Sequence, residues 1–129
     1  MRFKAVVPVL GFEDVNEWEL ERVDDIFAKL KAFKNSKDVS FTLIDPFVLR
    51  DYEIEIPKFY KELLEIEDKS YKLVLCSVIV QQPLENSKVN FIAPFVFNID
   101  KKKMAQIVLD GEKYKNFGIM ESISDYIKG

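Results

Sequence analysis

Apolar and polar residues alternate with a period of two along much of this chain, which is the pattern of half-buried strands. Trp18–Val23 (WELERV) places Trp18, Leu20 and Arg22 on one face, and Val39–Ile44 (VSFTLI) points Val39, Phe41 and Leu43 inward. Tyr52–Ile56 (YEIEI) repeats the pattern as a short strand, while Phe3–Leu10, with Pro8 near its end, reads as a first strand on an edge. Ser70–Gln81 is apolar on both faces from Leu73 to Val80, so it predicts a central strand covered on both sides. In Val89–Asn98 (VNFIAPFVFN), Val89, Phe91, Ala93, Phe95 and Phe97 share one apolar face with Ile99. Asn90, Ile92, Pro94, Val96 and Asn98 form a mixed face. Pro94 offers no N–H to a ladder, which argues for an edge strand or a bulge, and so for a docking site. Met104–Leu109 predicts a further strand, followed by a hairpin-like turn at Asp110-Gly111.

Helical spacing is rarer. Pro57 fits the first position of a helix over Pro57–Ile66, with Phe59, Tyr60, Leu63, Leu64 and Ile66 as its apolar stripe. Asp24–Lys31 fits both periods. Val23, Ile26, Phe27 and Leu30 recur as on a helix that the Asp24-Asp25 pair would cap, and one or two helical turns are the preferred reading. Asn35–Asp38 reads as a polar turn and Ile119–Ile127 as a terminal helix. About seven short strands with one or two covering helices define an all-β-dominated fold. A small closed or nearly closed antiparallel barrel over residues 1–129, one domain, disposes of the strand edges.

Composition sharpens this picture mainly by exclusion. The chain has no His, one Cys and four isolated Gly. Ser–His and Cys–His nucleophile pairs, a zinc cluster and a Gly-rich phosphate cradle are therefore not available. The paired carboxylates Asp51/Glu53 and Glu53/Glu55 share a strand face, as surface alternation commonly arranges, and no calcium-loop spacing occurs. The expectation is a protein that is not an enzyme and has no catalytic, metal or cofactor-binding residues. Cys76 lies in an apolar run and reads as a packed, inert thiol. A net charge of −3 does not suit direct nucleic-acid binding, and no apolar run reaches the ~18 residues of a membrane span. The expected location is the cytoplasm, with no membrane partner. Acids concentrate in Glu13–Asp25 and Asp51–Asp68, as solvated faces or as patches that steer a basic partner.

An ordered set of segments carries a family resemblance. It runs from Gly11-Phe12-Glu13 through Phe41–Phe47 (FTLIDPF) and Asp51-Tyr52-Glu53 to the Leu73–Val80 run. It continues with Val89–Pro94 and Asn98, and then Ala105–Asp110 (AQIVLD). Together these resemble the flagellar assembly factor FliW of bacteria over Gly11 to Tyr114. The resemblance implies a cytoplasmic, non-enzymatic β-barrel that binds the translational regulator CsrA and relieves its repression of flagellin messenger RNA. It also implies binding to flagellin, which competes with CsrA. Asp45, Tyr52, Asn90, Pro94 and Asn98 are the candidate partner-binding residues. Asp45 reads equally as a turn former, Tyr52 as a core residue with a bonded hydroxyl, and the two Asn as turn supports. The chain departs from the family pattern in a short segment before Gly11 and in the helical character of Asp24–Phe33. A second class of function is a small-ligand module whose eleven Phe line a cavity inside the barrel.

Overall fold

A computed structural model describes residues 1–33 and 38–126. Its strands are β1 (Arg2–Ala5), β2 (Glu17–Arg22), β3 (Phe27–Ala32), β4 (Ser40–Ile44), β5 (Lys72–Ile79), β6 (Lys88–Val89), β7 (Phe95–Asn98), β8 (Lys103–Gln106) and β9 (Glu121–Ser122). One helix, α1 (Lys58–Leu64), and 3-10 turns at Pro46–Val48, Leu84–Asn86 and Ile123–Asp125 complete the elements. Among the described residues, no helix is long and apolar enough to cross a membrane.

Seven strands form a ring in the order β4-β3-β2-β1-β8-β7-β5, closed by pairing of β4 with β5 at Thr42–Val78, Leu43–Ser77 and Ile44–Cys76. Closure removes the exposed ladder edges that an open sheet would present. Strands β6 and β9 extend from β5 outside the ring. The barrel is mixed rather than antiparallel, because β1 and β8 pair in parallel at Lys4–Lys103 and Ala5–Met104. Parallel neighbours need a long crossover. Here the whole chain between β1 and β8 supplies it, which no local pattern announces.

Two apolar clusters follow from the alternation. One draws a residue from all seven ring strands: Phe3, Trp18, Leu30, Leu43, Leu75, Phe95, Phe97 and Met104, each 4% exposed or less. It is the barrel interior. The other takes its buried ring-strand residues from β4, β5, β7 and β8, through Ile44, Val74, Cys76, Val96 and Ala105, with half-buried Phe27 of β3 packed against it. It lies on the outer wall, beneath Tyr52, Ile56, Leu64, Phe91 and Ile123. β5 and β7 are thus buried on both faces, which is why their sequences are apolar without alternation. On β2 and β3 the outer face meets water. Glu19 lies opposite Lys31 and Glu21 opposite Lys29, and the alternation is clean.

Aromatic rings fill the interior. Phe3 meets Phe97 at 4.9 Å between ring centres, Phe41 meets Phe95 at 5.5 Å, and Phe12 meets Phe41 edge-on at 5.4 Å. A depression of about 360 Å³ opens at the end where β1 begins, with Leu20, Phe27, Leu73 and Ile99 among its lining.

Several sequence expectations are corrected. Asp24–Lys31 is not helical: Asp24 Oδ1 accepts the Ile26 and Phe27 N–H groups at 2.8 and 2.7 Å and turns the chain from β2 into β3. These donors, two and three residues on, are the ones a helix cap would take, so the cap signal was a turn signal. β1 is no edge strand, since it lies between β2 and β8, and Pro8 falls beyond its end. Val89–Asn98 is not one edge strand either. It divides into β6, a bend at Ile92-Ala93 and β7, which pairs with both β5 and β8, so strand addition to it is closed. Tyr52–Ile56 keeps its two-residue alternation but joins no ladder. Phe59 of α1 is exposed at 61%. Asp110-Gly111 begins a turn, held by Lys113 and Tyr114 N–H to Asp110 C=O, but no strand follows directly. Residues 119–126 form β9 and a 3-10 turn instead of a helix; Ile127 lies outside the described residues, as do Asn35, Ser36 and Lys37 of the expected turn.

Candidate docking surface and the clasp beneath it

The segment after β4 is built from the Asp45-Pro46 step outward. Asp45 Oδ1 accepts the Phe47 N–H at 2.9 Å and caps the 3-10 turn, and Pro46 sits at its first position. This turn lifts Phe47 and Val48 into solvent, 56% and 54% exposed, and swings Arg50 back against the protein. Arg50 Nη1 donates to Asn116 C=O at 3.0 Å and Tyr126 Oη at 2.9 Å, and lies 3.4 Å from Glu121 Oε2. Its guanidinium also lies over the rings of Phe117, Phe91 and Tyr126 at 4.9, 5.1 and 5.2 Å. Glu121 accepts from Tyr126 Oη and from the Gly118 N–H. A Cβ on Gly118 would lie 2.8 Å from Glu121 Cγ, so the close fold-back of Glu121 requires glycine there.

Tyr52 completes the clasp. It is 1% exposed, its hydroxyl donates to Phe91 C=O at 2.6 Å, and its ring stacks on Phe117 at 4.7 Å. Burial pushes its phenol well above the usual tyrosine range. Burial likewise pushes the neighbouring Cys76 thiol up to about 12, so the reactive thiolate does not form near neutral pH. Burial, with Glu121 second, raises Tyr126 to about 12.

The remaining candidate residues take internal roles. Asn90 Oδ1 accepts the Ile92 and Ala93 N–H groups, both at 3.2 Å, shaping the bend that presents Phe91 C=O to Tyr52. Pro94 is buried, and its carbonyl accepts the Ile107 N–H at 2.9 Å. Asn98 is fully buried: Nδ2 donates to Leu64 and Glu65 carbonyls, and Oδ1 accepts from Asp100 and Lys101. The structure thus gathers Asp45, Tyr52 and Asn90 around one wall and sets Asn98 at the far end of β7. Any part that Tyr52, Pro94 and Asn98 take in docking is exerted through the residues they hold.

Charge on the surface is less one-sided than the sequence implied. In the first acidic stretch Glu21 pairs with Lys31 at 3.4 Å, and Glu19 with Arg2 and the N-terminus. In the second, Glu55 pairs with Lys113, Glu62 with Lys58 and Glu65 with Lys103, lowering the carboxyls of Glu55 and Glu65. Asp51 and Glu53 make no ion pair among the described residues, and they flank a depression of about 610 Å³ lined also by Phe47, Arg50 and Tyr52. Phe47, Val48 and Arg50 escaped sequence reasoning. The usable signal was Arg50, the single base between residues 38 and 57. Among the described residues no group of three or more Cys, Asp or Glu converges to hold a metal ion.

The arrangement defines a class first: a closed, side-chain-filled β-barrel whose outer wall is clasped by its own C-terminal segment and shows an apolar and acidic rim to solvent. A family model described as FliW protein matches residues 2–117. The flagellar assembly factor FliW of Sulfurimonas denitrificans is 47% identical over 128 residues, 99% of either chain. Flagellar assembly factor FliW 2 of Wolinella succinogenes is 44% identical over 98% of this chain and 92% of its own. A crystal structure of a flagellar assembly factor FliW superposes with a TM-score of 0.84 at 22% identity, covering 95% of this chain and 84% of that one. The chain belongs to the FliW family of flagellar assembly factors.

Proposed function

We propose that this protein is a non-enzymatic cytoplasmic assembly factor that binds CsrA, relieves its repression of flagellin messenger RNA, and exchanges CsrA for flagellin. The observation that carries this reading is relatedness to flagellar assembly factors over essentially the whole chain. The geometry supports it: the barrel interior is filled, and the free side chains of the outer wall suit docking rather than chemistry. The carboxylates Asp51 and Glu53, without an ion pair among the described residues, sit beside the exposed Phe47, and set against CsrA they would place negative charge near bound RNA. Repulsion of the phosphate backbone then weakens RNA binding, most strongly at low salt. Asp45, Tyr52 and Asn90 serve this surface by fixing Phe47 and the Asp51–Glu53 backbone, while Pro94 and Asn98 hold β7 and its turn. Against the ligand-cavity reading stands the mutual packing of Phe3 with Phe97 and of Phe12, Phe41 and Phe95 in the barrel interior.

The test is RNA release. CsrA is bound to a labelled flagellin leader RNA and this protein is titrated in. Release that is reduced by the Asp51→Lys/Glu53→Lys double variant supports the reading; RNA that stays bound at saturating wild-type protein refutes it.

A further inference from the structure

After Leu109 the chain leaves the barrel. The Leu109 N–H still donates to Ile92 C=O at 2.8 Å, and the turn that follows closes on its own Asp110. That residue's carbonyl accepts the Lys113 and Tyr114 N–H groups, and its Oδ1 accepts the Glu112 N–H. Residues 113–126 then cross the outer wall as a strap. Among the described residues, the strap's ladder pairing runs through β9 to β6 alone, whereas every ring strand is paired on both sides. Ile123 is the strap's only buried residue, while Ile119 and Met120 stand 66% and 58% exposed. A segment with so little burial and so few ladder bonds opens at a lower free energy than the core beneath it.

What holds the strap converges on one side chain. Arg50 Nη1 reaches it near its start, middle and end, at Asn116 C=O, Glu121 Oε2 and Tyr126 Oη. Tyr126 Oη in turn donates to Glu121, which accepts the Gly118 N–H at 2.7 Å. The three points therefore form one network, which releases together rather than singly. Ring contacts span the same gap: Phe117 stacks on Tyr52, and Tyr126 meets Phe91 edge-on at 5.5 Å. The Lys113–Glu55 pair at the other end is exposed and adds little.

We propose that residues 113–126 open and close over the outer wall as one unit, with the Asp110 turn as hinge and Arg50 as latch. Closed, the strap covers Tyr52 and Phe91 and keeps the Arg50 side chain 16% exposed. Open, it bares that apolar wall and frees a guanidinium that lines the same depression as Asp51 and Glu53. The two states thus present different charge and apolar area on one face of the molecule. This conformational device goes beyond the proposed function and requires no particular partner.

Native-state amide hydrogen exchange, read residue by residue by NMR, tests this on the wild-type protein. Three amides bridge strap and wall: Glu55 N–H to Tyr114 Oη at 2.8 Å, and Phe91 N–H to Gly118 C=O and Ile123 N–H to Ser87 C=O, both at 2.9 Å. They are far apart in sequence, and a unit that opens as one gives them a common protection factor, below that of the β3 and β5 amides. Arg50→Gln lowers all three together by about tenfold or more. Leu30→Val, inside the barrel, speeds the β3 and β5 amides and leaves the three bridging amides at wild-type rates, because the ring is intact in both strap states. Unlike protection factors at the three amides, or factors equal to the ring's, overturn the hinged unit. So does Leu30→Val speeding them in step with the ring. Bridging amides unchanged in Arg50→Gln overturn the latch.

Discussion

Asn98 offers the sharpest stability test, because one fully buried side chain ties two elements together. Its amide donates to Leu64 C=O at 2.9 Å and Glu65 C=O at 3.1 Å, the last carbonyls of α1. Its Oδ1 accepts the Asp100 and Lys101 N–H groups at 3.1 and 3.2 Å, closing the turn between β7 and β8. Helix C-terminal carbonyls have no intrahelical donors, so Asn98 acts as an external cap. Each bond contributes about 1 kcal/mol, and stranding a buried partner costs about 1–3 kcal/mol. Asn98→Ala removes all four. Water recovers part of the loss at Glu65, Asp100 and Lys101, where the bonds are only partly buried, which leaves about 3 kcal/mol of destabilisation. With a urea m-value of about 1.5 kcal/mol/M, the midpoint falls by about 2 M at constant m. Asn90→Ala, which removes two partly buried acceptor bonds, costs about 1 kcal/mol and calibrates the scale. A loss below about 1 kcal/mol for Asn98→Ala would refute this account of the residue.

Other changes probe the interior and the charges. Trp18 is fully buried with its indole N–H unpartnered, so Trp18→Phe removes a stranded donor and costs less than about 1.5 kcal/mol, whereas Trp18→Ala costs about 3–5 kcal/mol by chemical denaturation. A Phe variant as unstable as the Ala variant would show that the indole N–H is satisfied. Asp24, Glu55 and Glu65 have carboxyls lowered by folding from 3.8, 4.5 and 4.5. Their contribution is therefore complete above those values and lost as pH falls through the folded ones, and Glu55→Gln/Glu65→Gln shrinks that acid loss in pH-dependent melts. Cys76 and Tyr126 are raised from 9.0 and 10.0 to about 12, so their contribution is lost as pH climbs from the lower values to the higher. An alkaline loss unchanged in Cys76→Val would contradict the assignment to the thiol.

The strands that face water on one side were legible. Trp18–Val23 alternates because only its inner face meets the core, whereas Val39–Ile44 ends on Ile44, buried in the outer-wall cluster. The double-sided burial read over Leu73–Val80 holds as far as Val78, for Ile79 and Val80 are 55% and 47% exposed. Asp24–Phe27 was misread because an Asp that caps a helix and one that turns a hairpin bond to the same donors. The barrel's closure joins Thr42 to Val78 and Ile44 to Cys76, and the parallel β1–β8 pair joins Lys4 to Lys103, contacts between distant parts of the chain that no local period encodes. Of the candidate site, Asp45, Tyr52 and Asn90 were legible as residues, since each is a turn former or a ring with a hydroxyl. Their shared wall was not, because it is held by contacts between distant segments, Tyr52 with Phe91 and Phe117 and Arg50 with Glu121 and Tyr126. The acidic stretches looked stronger in sequence than in space, where β3 and Lys113 bring cations beside them.

The central claim is an exchange of partners on this barrel, and a competition experiment addresses it most directly. The protein and CsrA are co-eluted by size exclusion, and flagellin is then titrated into the complex. The account predicts a stable complex with CsrA that flagellin displaces in a saturable manner. A CsrA complex that persists beside bound flagellin, or the absence of binding to either at micromolar concentrations, would contradict it.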